Sequence, residues 1–346
     1  MSSASPEERL PNGAPLPASN QEYTLAVEDL RMYFPVTKGL FRRKIADIKA
    51  ADGVSFAIRK GETLGLVGES GCGKTTVGRC VIRLYKPTSG CILFDGEDIA
   101  RLSESKLRPL RRRIAIVLQD PASSLDPRQS IGRIVSEPLK VHHLTHGRAA
   151  SRERVAELFE MVGLDPRLVE RYPHELSGGQ RQRVAIARSL AGDPSLIVCD
   201  EPVSALDVSI QAQIINLLKE LQEKIAGLTY LFISHDLWLV HYLSTRVAVM
   251  YMGRIVEIAG AEQLYDNPLH PYSQALLSAV PTANPVLERQ REPIVLQGET
   301  PSLLHRPSGC HFHPRCPRAL PECRETEQVL RPVGADHSVA CMLVTR

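Results

Sequence analysis

The chain has 346 residues, 42 of them basic and 39 acidic, for a formal net charge of +3. Charge this balanced argues against a nucleic-acid binder, and no apolar run approaches the ~18 residues of a membrane span. With 43% hydrophobic residues, the chain has enough apolar matter for a full α/β domain and a smaller appendage. The first residues are polar and contain prolines instead of an apolar segment. They read as no secretory signal, so a cytoplasmic protein is expected, with any membrane association made through a partner.

Residues 1–21 carry Pro6, Pro11, Pro15 and Pro17 among Ser, Ala and Gly and read as a disordered tail. Leu25 to Leu30 is a strand candidate, followed by Arg31-Met32-Tyr33-Phe34. A loop is expected from Pro35 to Asp47. Its basic residues, Lys38, Arg42, Arg43 and Lys44, suit a solvated loop or one that meets lipid headgroups or a partner. Ile48 to Ile58 reads as a second strand, and Lys60-Gly61-Glu62 turns into the apolar run Thr63 to Val67.

That run leads into Gly68-Glu69-Ser70-Gly71-Cys72-Gly73-Lys74-Thr75-Thr76, which fits G-x-x-x-x-G-K-[ST]. Thr76 to Leu84 can form a helix, so the motif has its strand–loop–helix context. Glycines let successive N–H groups point inward around phosphate oxygens. The helix N-terminus adds positive partial charge at the same spot. In this pattern Lys74 reaches the β- and γ-phosphates and the Thr75 hydroxyl ligates Mg²⁺.

Cys91 to Phe94 is a further strand candidate, and Arg101 to Arg113, with six basic residues, reads as an exposed helix face. Ile114 to Leu118 is a continuous apolar run suited to a parallel strand buried on both faces. It ends at Gln119, where open α/β sheets bind ligands. Residues 120–176 read as a helical subdomain. Within it Val155, Leu158, Phe159 and Val162 mark a helix that Gly163 can cap. Leu196 to Glu201 is a buried strand ending in two carboxylates, an arrangement that suggests chemistry because buried acids are costly unless paired or metal-bound. Asp200 fits the Mg²⁺-binding acid, and Glu201 is placed to polarise a water. Ser209 to Gly227 is an amphipathic helix with Ile210, Ile214, Leu217, Leu221 and Ile225 on one stripe. Leu228 to Ile233 leads to Ser234-His235-Asp236. Val247–Tyr251 and Arg254–Ile258 read as a hairpin around Met252-Gly253. Many short strands around a phosphate loop predict an α/β nucleotide core with an antiparallel β layer beside it.

Leu176-Ser177-Gly178-Gly179-Gln180-Arg181-Gln182-Arg183 resembles the signature motif of the ATP-binding cassette (ABC) family. Ser177 and the two glycines ahead of a helix from Arg181 to Leu190 offer a second anion-binding helix N-terminus. The resemblance implies that Ser177, Gly178, Gly179 and Gln180 close the ATP site of a second cassette packed head to tail. It implies a RecA-like core, a glutamine at Gln119 that contacts Mg²⁺ and water, and Mg²⁺ held by Thr75, Gln119 and Asp200. Ser204-Ala205-Leu206-Asp207 resembles the D-loop at the seam, contributing Ser204 and Asp207, and His235 matches the switch histidine. Phe34 is the expected adenine-stacking aromatic, with Tyr33 as the alternative. Together with residues 68–76, Phe34 makes up the expected ATP site, and Glu201, His235 and Gln119 the catalytic set. The likeness covers residues 22–260 and bounds a cassette at 22–262.

Residues 263–346 narrow the family. Asn267-Pro268-Leu269-His270-Pro271-Tyr272, Leu276 to Pro281 and Gly298 to Leu303 look like the extension of oligopeptide/dipeptide importer ATPases. Lys38-Gly39-Leu40-Phe41-Arg42-Arg43 resembles the second of the two ATPases such importers pair. The implied protein is a peripheral ATPase on the cytoplasmic face of a prokaryotic membrane. Its implied partners are a second ABC ATPase in a heterodimer, two permease subunits and an extracytoplasmic substrate-binding protein, with no nucleic acid. The alternatives are importers of nickel or other metal chelates, or a soluble ABC ATPase acting on nucleic acid. Cys310-x5-Cys316-x6-Cys323-x17-Cys341 supplies four thiols. Four thiolates can hold Zn²⁺ or a [4Fe-4S] cluster. The loose spacing and the resemblance together favour iron–sulfur. Cys72, Cys80, Cys91 and Cys199 read as packing or loop residues.

Overall fold

The computed structural model describes residues 23–39, 43–120, 124–280 and 293–344. The expected tail at 1–21 and part of the expected 35–47 loop lie outside them.

In chain order the described elements are β1 (Tyr23–Lys38), β2 (Arg43–Arg59), β3 (Thr63–Val67), α1 (Lys74–Val81), β4 (Ser89–Phe94), β5 (Glu97–Asp98), α2 (Glu104–Leu110) and β6 (Ile114–Val117). Then come α3 (Ile131–Val141), α4 (Gly147–Met161), α5 (Gly178–Leu190), β7 (Leu196–Asp200), α6 (Val208–Lys224), β8 (Thr229–Ile233), α7 (Leu237–Leu243), β9 (Arg246–Tyr251) and β10 (Arg254–Gly260). α8 (Ala261–Asp266), α9 (Pro271–Ser278), β11 (Arg331–Pro332) and β12 (Ser338–Val339) complete the chain. By their internal packing the residues form two compact units. One comprises the described residues within 1–57, 64–100 and 235–346; the other comprises those within 58–63 and 101–234.

In the first unit, β2, β1, β4 and β5 lie side by side in that order. β1 pairs antiparallel with β4, Leu25 opposite Phe94, and the register shifts between Glu28 and Arg31. The expected loop from Pro35 to Asp47 is largely strand, since β1 runs to Lys38 and β2 begins at Arg43. A neighbouring strand supplies hydrogen bonds that composition does not reveal, and Lys38, Arg43 and Lys44 stay on solvent-exposed positions of the strands. β3 runs parallel to β9, which folds back antiparallel onto β10. The β9–β10 turn is the expected Met252-Gly253 pair, with φ of 45° and 81° and Tyr251 opposite Arg254. Two positive-φ residues make the tight turn whose twist suits a hairpin. β10 then pairs with β12, so the C-terminal region adds strands to this sheet.

In the second unit β6, β7 and β8 are parallel, with Ile114 opposite Leu196 and Leu196 opposite Thr229. Every residue of β7 and β8 is buried, as the continuous apolar runs predict. α6 packs with Ile214, Leu217 and Leu221 buried, while Ile210 and Ile225 at its ends are half-buried. The basic stretch 101–113 is more than an exposed face. Arg112 Nε donates to the Gly192 carbonyl at 3.1 Å, and Arg111 pairs with Glu104 at 3.1 Å. α3, α4 and α5 realise the expected helical block. The Gly163 turn (φ 68°) closes α4, and Arg183 of α5 donates to the Val162 carbonyl at 2.5 Å.

Candidate nucleotide site

The phosphate loop sits in the first unit, between β3 and α1. A Cβ at Gly68 would lie 2.1 Å from the Met250 carbonyl oxygen, and one at Gly73 would lie 2.0 Å from that of Ala50. Only glycine permits this approach. Gly253 N–H, from the β9–β10 turn, donates to the Cys72 carbonyl at 2.8 Å and anchors the loop from the other side. Lys74 is buried, and its ammonium donates to the carbonyls of Gly68 (2.8 Å) and Glu69 (3.1 Å). The Cys72 thiol is 3.8 Å from the same ammonium, and burial raises its pKa. α1 starts at Lys74 with Gly73 as N-cap, no side-chain cap and no acid in its first turn. A helix start with no side-chain cap and no acid suits an anion, beside a buried cation that can turn to it. Ser70 and Gly71 are exposed at the loop's rim, and Thr75 and Thr76 open the helix.

Tyr33 and Phe34 occupy consecutive strand positions and so point to opposite faces. The Tyr33 hydroxyl donates to Asp52, and the Lys49 ammonium sits 5.4 Å above its ring centroid. Burial, then the Asp52 hydrogen bond, pushes the phenol up to about 12. Phe34 meets the Tyr85 ring edge-on at 5.6 Å and is half-buried. Of the two, Tyr33 is committed to a polar contact and Phe34 is not.

The second unit gathers a different set. Asp200 ends β7 and is 2% exposed. Glu201 follows with φ 49°; its N–H donates to the Ile233 carbonyl at 2.9 Å, and its Oε2 accepts from Gln119 Nε2 at 3.0 Å. The structure thus brings Gln119 and Glu201 together, 82 residues apart in sequence. Ser204 Oγ donates to the Glu201 carbonyl at 3.2 Å. A positive φ at a non-glycine residue is costly and clusters at functional positions.

The signature helix differs in one respect from expectation. α5 begins at Gly178, not Arg181, and its N-terminus is already capped. Ser177 Oγ accepts from the Gln180 N–H at 3.2 Å while Gln180 Oε1 accepts from the Ser177 N–H at 2.9 Å. This reciprocal box satisfies two end groups that a bare helix would leave open. A Cβ at Gly179 would lie 2.8 Å from Ile210, and one at Gly178 3.2 Å from Leu206, so the glycines seat this helix against Leu206 and the start of α6. Ser177 and Asp207 are exposed, and Val208 beside them is 81% exposed.

His235 belongs to the first unit, is exposed, and stands just before α7. That helix is capped by Asp236, which accepts from Trp238 N–H at 2.9 Å.

Cys310, Cys316, Cys323 and Cys341 border one small cavity together with Phe312 and His313. Burial pushes the Cys310 thiol up to about 11, and the three other cysteines add to the shift. Among the described residues, however, no group of three or more His, Cys, Asp or Glu is arranged to hold a metal ion. The donor set suits a four-thiolate group, whereas the thiols do not form a closed ligand cage. Cys72, Cys80 and Cys199 are buried as packing residues and Cys91 is half-buried, in line with the sequence reading.

Sequence reasoning missed several pairings that the C-terminal region makes, two of them on residues at or beside the phosphate loop. Arg315 binds Glu69, Arg306 binds Asp52, and the fully buried Glu257 accepts from His337 and from the amides of Leu269 and His270. Each pairs residues distant in sequence and has no local motif. The nearest signal was a charged residue flanked by motif positions, as in Arg315-Cys316.

Residues 51–204 match the ABC transporter family, and residues 256–323 match the C-terminal region of oligopeptide/dipeptide transporters. The oligopeptide transport ATP-binding protein AppF of Bacillus subtilis is 56% identical over 327 residues, 94% of this chain and 99% of that protein. The oligopeptide transport ATP-binding protein OppF of Escherichia coli is 48% identical over 92% of this chain and 96% of its own length. Among solved structures, the dimeric post-hydrolysis ATP-binding cassette MJ0796 bound to ADP and phosphate superposes with a TM-score of 0.61 at 30% identity. That match spans 68% of this chain and 98% of the other. The chain belongs to the ABC transporter family, in the ATP-binding branch of its oligopeptide/dipeptide transporters.

Proposed function

We infer that this chain is the ATP-hydrolysing subunit that powers import of peptides through a membrane permease. The observation that carries the reading is the joining of two features in one chain. One is a phosphate loop with an uncapped helix start and buried Lys74. The other is the C-terminal region matched to oligopeptide/dipeptide transporters.

In this reading the N–H groups of residues 70–76 bind the phosphates, and Lys74 exchanges the carbonyls of Gly68 and Glu69 for phosphate oxygens. Phe34 packs on the adenine, because Tyr33 is held by Asp52. Thr75, Asp200 and Gln119 hold Mg²⁺, which when bound neutralises charge on the phosphates. Glu201 accepts the proton of the attacking water, and Gln119, hydrogen-bonded to it, orients its carboxylate. His235 steadies the γ-phosphate. Ser177, Gly178, Gly179 and Gln180 face the nucleotide of a second cassette, with Ser204 and Asp207 at the seam. The partners are that second ATP-binding chain, here taken as a distinct polypeptide, permease subunits and an extracytoplasmic binding protein, with this chain on the cytoplasmic face. In the helical block, a cavity of about 730 Å³ carries Arg133, Lys140, Arg148 and Arg152 against a single acid, Glu170. Its charge suits an acidic loop of the permease. The cassette is assigned to 22–262 and the extension to 263–346, where Cys310, Cys316, Cys323 and Cys341 are assigned to a [4Fe-4S] cluster, with Zn²⁺ the alternative. Iron and acid-labile sulfide assays on chain purified without oxygen decide between them.

The test of the central reading is Glu201→Gln. ATP binding should persist while turnover in the assembled transporter falls by about 10²-fold or more, the scale of losing a general base. Turnover at the parent rate would overturn the assignment.

A further inference from the structure

Glu69, the second residue of the phosphate loop, is held at every polar group it has. Its N–H donates to the Tyr272 hydroxyl at 2.9 Å, and its carbonyl accepts from Lys74 at 3.1 Å. Its carboxylate accepts from Arg315 Nη1 at 3.0 and 2.9 Å and from the Thr300 hydroxyl at 2.7 Å. Tyr272, Thr300 and Arg315 all lie in the C-terminal region, and Arg315 stands directly before Cys316. The ion pair is largely shielded, with side-chain exposures of 10% for Arg315 and 26% for Glu69. A second arginine of the same stretch, Arg306, donates to Asp52 Oδ2 at 2.7 Å and to the Lys49 carbonyl. Asp52 in turn holds Tyr33. The cysteine-bearing stretch therefore grips the nucleotide bed at two points, one beside the phosphates and one beside the Tyr33–Phe34 pair.

The contacts on Glu69 matter most when a nucleotide arrives. Lys74 then leaves the carbonyls of Gly68 and Glu69, and the loop loses a charged donor that had fixed its shape. What still holds Glu69 is Tyr272 on its amide, the Cys72 N–H on its carbonyl at 3.3 Å, and Arg315 with Thr300 on its carboxylate. A loop fixed in its binding shape before the ligand enters loses less freedom on binding.

We propose that Arg315 is a positioning residue for ATP: by clamping Glu69 it keeps the phosphate loop in its binding shape, so the cysteine-bearing stretch sets the nucleotide affinity. This rests on the reading of residues 68–76 as the ATP site. Arg315 touches no reacting atom, so its loss should appear in affinity and leave the chemical step alone.

The experiment uses the full chain and the variants Arg315→Gln, Arg315→Lys, Glu69→Gln and the Arg315→Gln/Glu69→Gln double. Binding of MgATP is measured with a fluorescent ATP analogue, and kcat and KM are measured in the assembled transporter. Arg315→Gln should weaken ATP binding about 10-fold, the scale of a charge-assisted, shielded contact, with kcat at saturating ATP within about twofold of the parent. Glu69→Gln should weaken ATP binding likewise from the other side, and the double variant should be no worse than either single, because both remove one link. Arg315→Lys should recover part of the loss. Amide exchange over residues 68–73 should quicken in Arg315→Gln. ATP affinities within about twofold of the parent for both single variants, or losses that multiply in the double, would overturn the proposal while leaving the ATP site standing. A parent chain that fails to bind ATP would overturn the site reading and this inference with it.

Discussion

At Gly73 the backbone has φ 112°, and a Cβ would sit 2.0 Å from the Ala50 carbonyl oxygen. Gly73→Ala must therefore move either the loop or β2. ATP binding should fall below detection in equilibrium dialysis, with a thermal midpoint several degrees lower, since a backbone clash is not relieved by rotating a side chain. His270 argues a pH dependence. It is 1% exposed, and its Nδ1 accepts from the Tyr272 N–H at 3.0 Å, which caps α9. Burial, against a smaller opposing pull from Glu257, lowers its pKa to about 4. The unfolded chain takes up this proton near 6.5 while the folded chain refuses it until about 4. Stability should therefore be full above pH 6.5, decline as pH falls from there, and level off near 4. His270→Asn keeps a capping side chain without the titration, and urea unfolding at pH 7, 6 and 5 should show a flatter profile than the parent. Some residues at this scale were legible in sequence and some were not. Asp200 and Glu201 announce themselves as two acids ending an apolar run. Arg315 does not, because its partner is 246 positions away and only the folded chain joins them.

Elements were legible where one local rule decides them. The Met252-Gly253 turn between two apolar runs could hardly be anything but a hairpin, and it is one. The β7 and β8 runs are mostly apolar because both faces are covered, whereas β6, expected to be buried on both faces, leaves Ala115 and Ile116 half-buried. The stretch from Pro35 to Asp47 misled because its basic residues and proline favour a loop locally, whereas the strands there are held by a neighbour in the sheet. The start of α5 was read three residues late because glycines disfavour helix. The Ser177–Gln180 box and the close seating on Leu206 and Ile210 override that cost. α4 and α5 are tied by a charged donor, Arg183, on the Val162 carbonyl beside the Gly163 turn. Arg183→Met keeps the apolar stem and removes the donor. It should lower unfolding free energy by about 1–3 kcal/mol, as for a lost hydrogen bond from a charged group, read from denaturant midpoints at unchanged slope.

On the scale of the whole molecule, the phosphate loop and His235 belong to one unit, and Gln119, Asp200, Glu201 and residues 177–180 to the other. The cassette likeness and the phosphate loop made the fold class readable from sequence, but the C-terminal region's hold on Glu69 and Asp52 was not, since it depends on long-range pairing. The signature end of α5 stays exposed in the single chain, with Val208 beside it 81% exposed. An apolar side chain left this bare next to a self-capped helix start is what a seam between two cassettes would cover. Ser177→Arg places bulk and charge at the exposed end of α5, in the unit that does not contain the phosphate loop. The isolated variant should therefore bind MgATP as the parent does. Once assembled with its second cassette and permease, its ATP turnover should fall by about 10²-fold, the scale of losing transition-state donors. Steady-state hydrolysis by the assembled complex, set against analogue binding to the lone chain, separates these two effects. A lone chain that hydrolyses ATP at the full rate, unchanged by Ser177→Arg, would mean that the site is complete within one polypeptide and that the exposed end of α5 serves some other contact.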